Sequence, residues 1–238
     1  MRRALAILGC TLAVAGASGA AAAPPTPAPE TRGRALYGQS CATCHGQNGE
    51  GSPRGPNLEN SGAAAADFQL STGRMPLPHP GAASERRQPA FGPRDIDALT
   101  AYIASLGHGP AIPVVSRGDL QEGREIFVST CAACHSGSLA GGTLSSGQAA
   151  PPLLASTPTQ IAEAIRLGPG AMPSFPRGVI SDAQVNAIAT YVTSLRPQLD
   201  HGGAPLGGFG PVPEGAVAWV FGLGLLALFI RLIGKRAP

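Results

Sequence analysis

Two pentapeptides constrain this chain more than any other feature: Cys41-Ala42-Thr43-Cys44-His45 and Cys131-Ala132-Ala133-Cys134-His135. They occupy matching places in a repeat. Gly33-Arg34-Ala35-Leu36-Tyr37 leads into the first as Gly123-Arg124-Glu125-Ile126-Phe127 leads into the second. Ala101-Tyr102-Ile103-Ala104-Ser105-Leu106 is answered by Thr190-Tyr191-Val192-Thr193-Ser194-Leu195, all at a displacement of about 90 residues. Two copies of one small domain fit this pattern, and a single large enzyme core does not. Each copy is short for a self-sufficient core, so a large apolar cofactor is expected to complete it.

Each pentapeptide is C-x-x-C-H, the attachment pattern of haem c. Two thiols add to the porphyrin vinyl groups, and the His that follows is held beneath the iron, so covalent geometry demands the close spacing. The reading is two covalently bound haem c groups, at Cys41 and Cys44 and at Cys131 and Cys134, with His45 and His135 as iron ligands. A zinc site or a thioredoxin-like pair are the other readings of one such motif; two in equivalent places argue against both. The chain has three Met. Two of them, Met75 in Thr72-Gly73-Arg74-Met75-Pro76 and Met172 in Pro169-Gly170-Ala171-Met172-Pro173, sit in loops after a short predicted helix in each copy. The Pro after each favours an extended Met that presents sulfur to iron, so Met75 and Met172 are read as the second axial ligands. His/Met ligation raises a reduction potential and suits an electron carrier. His79, His108 and His201 lack counterparts in the other copy and are read as surface residues.

The fold class expected is all-α. Ile96, Leu99, Tyr102, Ile103 and Leu106 recur at helical spacing, as do Val185, Ile188, Tyr191, Val192 and Leu195. Thr157, Pro158 and Gln160 open a helix that ends at Gly168, and Ser181 with Gln184 caps another that Pro197 stops. Gly33 and Tyr37 are expected to pack across Leu99 and Tyr102, and Gly123 and Phe127 across Ile188 and Tyr191, a missing side chain allowing close helix crossing.

The ends read differently. Arg2 and Arg3 precede an apolar, Ala-rich stretch up to Pro24, the layout of a signal peptide that discards Cys10; an uncleaved signal anchor is the alternative. Gly215 to Ile233 is apolar except for Arg231 and spans roughly 28 Å, close to the hydrocarbon thickness of a bilayer. Arg231, Lys235 and Arg236 place the C-terminus in the cytoplasm and the domains outside it. The five basic residues of the two ends account for the net charge of +3, so the interior has no polybasic groove and nucleic acid is excluded as a partner. The divisions are a signal peptide at 1–23, a Pro-rich leader at 24–31, haem domains at 32–108 and 118–197 joined by a linker at 109–117, a Gly/Pro tether at 198–214, a transmembrane helix at 215–234 and a tail at 235–238.

With these residues in view, each copy resembles a class I cytochrome c. The resemblance implies two tandem domains of that fold plus one C-terminal transmembrane helix. It also implies that a Pro carbonyl accepts the ring N–H of the proximal His: Pro56 in Gly55-Pro56-Asn57-Leu58, and Pro151 in Ala150-Pro151-Pro152-Leu153. The layout as a whole, with Pro213-Glu214-Gly215 before the anchor, is similar to dihaem cytochrome c subunits of actinobacterial menaquinol–cytochrome c reductases. That family implies a cytochrome b subunit, a Rieske iron–sulfur subunit and a terminal oxidase as partners, in the cell membrane. It implies electron transfer within a translocase and no catalytic site on this chain. A dihaem subunit of a dehydrogenase or of a terminal oxidase is the alternative. A dihaem peroxidase needs an open iron, against which Met75 and Met172 argue, and a haem-based gas sensor needs a signalling domain.

Overall fold

The computed structural model describes residues 28–199 and 215–234. The expected signal peptide with Cys10, most of the tether with His201, and the C-terminal tail lie outside the described residues. The first repeat forms α1 (Pro29–Ser40), the single turn α2 (Ala42–His45), α3 (Gly62–Ser71) and α4 (Pro93–Ser105). The second forms α5 (Leu120–Ile126), a wider π turn (Phe127–Cys131), α6 (Ala132–His135), α7 (Pro158–Leu167) and α8 (Asp182–Leu199). A last helix, α9 (Gly215–Gly234), stands apart from both.

The helices start where local chemistry allows. Pro29 and Pro93 take first-turn positions where no backbone N–H is needed, with Glu30 and Asp95 favourably placed at the positive end of the helix dipole. Helix α1 therefore begins inside the stretch assigned to the leader. Asp119 caps α5 by accepting from Glu122 N at 2.8 Å, and Thr157 with Gln160 forms a full capping box on α7. Gly168 closes α7 in the left-handed conformation. Helix α8 does not stop at Pro197; it runs to Leu199. Proline's fixed φ is already helical, and in the last turn its missing N–H forfeits only one intrahelical bond.

In each domain the first and last helices cross at a glycine. A Cβ on Gly33 would stand 2.0 Å from Ala98 O, and one on Gly123 would stand 2.0 Å from Ala187 O. Any side chain there forces the helices apart, since interiors have no slack on that scale. Beside each crossing an aromatic pair closes the contact: Tyr37 with Tyr102 at 5.1 Å between ring centres, Phe127 with Tyr191 at 5.6 Å. Such pairs add about 0.5–1.5 kcal/mol beyond their burial. Leu99 and Ile103 complete one core, and Val185, Ile188 and Val192 the other.

A departure from the all-helical expectation is an antiparallel pair in the second domain, β1 (Gly142–Thr143) with β2 (Ala149–Ala150). No alternation of apolar residues announces strands this short. The linker at 109–117 is strapped down at both ends. Pro110 O accepts from Ala64 N at 3.0 Å, and Asn186 holds Ser116 through two hydrogen bonds of 3.2 and 2.9 Å.

The domains meet through α3 and α7. Gln160 donates to Ser71 Oγ at 3.0 Å, and Arg86 reaches across to Ala155 O at 2.8 Å and Gln160 Oε1 at 3.0 Å. At the same seam Glu163 is fully buried, and neither of its oxygens has a hydrogen bond of regular geometry. Glu163 and Asp67 hold the same place in α7 and α3, so the repeat brings two acids together. Burial first, and the Asp67 charge second, push the Glu163 carboxyl up to about 9.

Helix α9 has a mean hydropathy of 2.3, and none of it is buried against the rest of the chain. Trp219, Phe221 and Phe229 stand open. Its length matches an apolar slab of about 30 Å, which makes it a candidate membrane anchor.

The folded protein holds a proton on Glu163 that the unfolded chain, with an ordinary carboxyl near 4.5, gives up. Stability from this group is fully present below the ordinary value and is lost as pH rises towards about 9. Glu163→Gln is expected to flatten the pH dependence of stability and to make the protein more stable than wild type at pH 8, with little difference at pH 4; denaturant midpoints at the two pH values measure this.

Candidate functional site

Both pentapeptides form one helical turn that begins where the long first helix ends. Cys41 N still bonds to Tyr37 O at 2.8 Å, after which His45 N and Cys44 N both turn back to Cys41 O at 3.0 Å. That turn sets each Cys pair three residues apart on one face of a helix. The chain then leaves through Gly46 at φ 83°, ψ 163°, a conformation open in practice only to glycine. The second domain has Ser136 at the equivalent place, with φ 57° and ψ 158°, and Leu139 at φ 60° where the first has Gly49 at φ 87°. The path of the loop is preserved although its enabling residue is not.

The loop that follows returns over the His in both domains. Gly51 N donates to His45 O at 2.7 Å and Gly141 N to His135 O at 3.1 Å. A Cβ on Gly55 would meet Cys44 O at 2.8 Å and His45 Cε1 at 3.1 Å, so the chain passes close beneath the ring. This return puts Pro56 O 2.9 Å from His45 Nδ1 and Pro151 O 3.0 Å from His135 Nδ1. A carbonyl only accepts, so Nδ1 carries the proton and Nε2 keeps its lone pair free for a metal. The antiparallel pair of the second domain lies within this return, between Gly141 and Pro151.

The first thiol of each pair is not poised for exchange chemistry. Burial pushes Cys41 and Cys131 up to about 11 each, with Cys44 and Cys134 adding smaller upward contributions. Thiol–disulfide exchange needs a thiolate near neutrality, and these first thiols are protonated there. Among the described residues, none of the four cysteines is joined in a disulfide. Among the described residues, no group of three or more His, Cys, Asp or Glu side chains converges as a metal site would require.

Met75 packs against the same apolar cluster as Cys41, and Met172 against the same cluster as Cys131. Thr72 and Gly73 follow the end of α3, and a Cβ on Gly73 would meet Arg87 O at 2.3 Å, so the segment around Arg87 braces the turn before Met75. The Met172 loop is fastened by Arg166, which donates to Phe175 O at 2.8 Å and Ile180 O at 2.6 Å and pairs with Asp182. Sequence reasoning passed over Arg166; its only signal is a cation in the last turn of α7 with an acid at the start of α8. His79 and His108 are exposed, His79 lying 3.2 Å from Pro80 O through Nδ1.

The geometry fits haem c: two thiols on one face of a turn, an imidazole with its outer nitrogen free, and an apolar cluster bordered by both Cys and Met. A model of the cytochrome c family matches residues 30–107, and the model described as cytochrome c oxidase, cbb3-type, subunit III matches residues 118–192. The chain is 40% identical over 217 residues to the cytochrome bc1 complex cytochrome c subunit of Mycobacterium leprae, covering 86% of this chain and 75% of that one. It is 34% identical over 225 residues to the subunit of the same name in Corynebacterium diphtheriae, covering 86% and 80%. A cbb3-type cytochrome c oxidase subunit CcoP of Azospirillum is 30% identical over 188 residues, covering 68% and 61%.

Ser136 holds a conformation that costs a residue with a Cβ about 1 kcal/mol or more, against which stand two exposed hydrogen bonds of its hydroxyl, with Ser138 Oγ at 2.9 Å and from Ala140 N at 3.3 Å. Ser136→Gly is expected to stabilise the second domain by about 1 kcal/mol, read from the shift of its unfolding midpoint.

Proposed function

Since the chain belongs to the family of cytochrome bc1 complex cytochrome c subunits, we propose that it is the membrane-anchored dihaem cytochrome c subunit of a quinol–cytochrome c reductase. In this reading it receives electrons derived from quinol through a Rieske protein and passes them to a terminal oxidase. The observation that supports it most is the pair of His–Pro contacts, His45 to Pro56 and His135 to Pro151, made in both repeats by loops of different secondary structure. Cytochrome c domains bind haem c covalently, and here Cys41, Cys44, Cys131 and Cys134 would hold two such groups. His45, Met75, His135 and Met172 would be the iron ligands. The group supplies one-electron exchange at a potential set by its axial ligands and surroundings.

The polypeptide's contribution is orientation and exclusion. Pro56 and Pro151 fix the imidazole planes and keep Nε2 deprotonated. Tyr37 donates to Gly46 O at 2.9 Å, and its phenol, pushed up to about 12 mainly by burial, stays neutral beside the first site. The Met75 and Met172 loops would close the sixth position, leaving no place for substrate on this chain. Helix α9 would hold the domains at the extracytoplasmic face, beside the cytochrome b of the complex. An oxidase subunit is the second reading, favoured by the match of residues 118–192 to the cbb3-type model.

Met75→Ala and Met172→Ala are each expected to leave haem attached, to lower the potential of that domain's haem alone and to open its iron to carbon monoxide. Carbon monoxide bound by both irons of the reduced wild type contradicts the Met assignment. The function is tested by purification from native membranes in mild detergent. Cytochrome b and a Rieske protein are expected to accompany the chain, and its deletion is expected to abolish quinol-dependent cytochrome reduction. Loss of oxidase activity alone, with that reduction intact, selects the second reading.

A further inference from the structure

The two attachment sites differ on the side where each His is held. His135 is 8% exposed and its contact with Pro151 is half-buried, whereas His45 is partly exposed and its contact with Pro56 is open to solvent. The thiol side runs the other way, Cys134 being exposed and Cys44 partly buried, so the extra shelter of the second site belongs to its His loop.

Leu139 supplies that shelter. Its carbonyl accepts from Leu153 N at 2.9 Å as Gly49 O accepts from Leu58 N at 2.7 Å, so the two residues hold equivalent places. Leu139 has no exposed surface and lies in the apolar cluster that Cys131 and Met172 border. Gly49 leaves no room for such a side chain: a Cβ there would stand 2.7 Å from Leu106 Cδ1, and Leu106 itself remains partly exposed. The backbone of Leu139 sits at φ 60°, in the left-handed region that a bulky residue resists and glycine enters freely. Strain of this kind persists only where the surroundings impose it, and here it carries a large apolar group inward.

Charge divides the two sites in the same sense. From Phe127 to Ala162 the chain has no Asp, Glu, Lys or Arg, whereas the loop after His45 carries Glu50, Arg54 and Glu59. Glu50 is folded back on that loop, accepting from Gln47 N at 3.2 Å and Asn48 N at 2.7 Å. A Cβ on Gly46, the residue after His45, would stand 2.6 Å from Glu50 Oε2. A haem iron carries one more positive charge when oxidised than when reduced. Apolar burial disfavours the more charged state, and a neighbouring carboxylate favours it.

Resting on the dihaem reading above, we propose that Leu139 holds the second haem at a higher potential than the first, by closing the His135 side to water where Gly49 and Glu50 leave the His45 side open and negative. An electron shared between the two domains then resides mostly in the second.

The test is a redox titration of the full chain in its purified complex, with the attached haems counted first by mass. Two waves are expected, and Leu139→Asn, which keeps the side chain's size and tolerates positive φ, is expected to lower the higher wave and leave the other in place. Leu139→Met, which stays apolar, is expected to keep the higher wave near its wild-type position. Glu50→Gln is expected to raise the lower wave at low salt, and high salt is expected to shrink that effect. Met172→Ala moves the higher wave and Met75→Ala the lower, an assignment made without any change at Leu139. Equal potentials, a higher wave that moves with Met75→Ala, or a Leu139→Asn protein with both haems attached and unshifted waves each overturn the proposal. Fewer than two attached haems in the wild type overturns it together with the dihaem reading, and the mass alone tells that failure from the others.

Discussion

In each domain the first and last helices meet backbone against backbone, where Gly33 faces Ala98 and Gly123 faces Ala187. The crossing sets the distance between the first and last helices, and the aromatic pair beside it sets their rotation. The attachment turn grows directly from the end of the first helix, so its position relative to the core follows from the crossing. Cys41 and Cys131 are thereby carried to the border of their apolar clusters and pack against them. A crossing even one methyl group wider moves the turn away from the cluster that Met75 or Met172 borders.

The second constraint, a carbonyl placed under an imidazole, is met in two ways. The first domain uses a short turn closed by Ser52 and Gly55, and a glycine at every strained position. The second uses a hairpin with strands of two residues each and holds Ser136 and Leu139 in backbone conformations that resist them. Both end within 0.1 Å of the same contact, at 2.9 and 3.0 Å. A tolerated backbone cost of this kind is expected where the position of one carbonyl matters more than local comfort.

The seam between the domains is polar where each domain interior is apolar. It joins helices at equivalent places of the repeat, which is why Asp67 meets Glu163 and why one proton must stay between them at neutral pH. None of this is visible in the chain as a string. Asp67 and Glu163 look like ordinary surface acids of amphipathic helices, and Arg86 sits in a separate segment. The linker shows the same limit: its Gly and Pro announce a connection, while its hydrogen bonds to Ala64 and Asn186 depend on surfaces that exist only once both domains have folded.

What the sequence determined by itself is the chemistry that covalent geometry confines to a few neighbouring residues. The C-x-x-C-H turns, the capped starts at Thr157 and Ser181, the apolar length of α9 and the glycines opposite the aromatic residues are local or repeated patterns. The forces behind them act over one or two turns of chain, or are duplicated in the second copy. Tertiary structure alone decided the rest: the strained loop at Ser136, the fastening of the Met172 loop by Arg166, and the meeting of like charges across the seam. These depend on groups far apart in the chain, and their energies, of electrostatic and close-packing origin, vary with distances that only the folded arrangement sets.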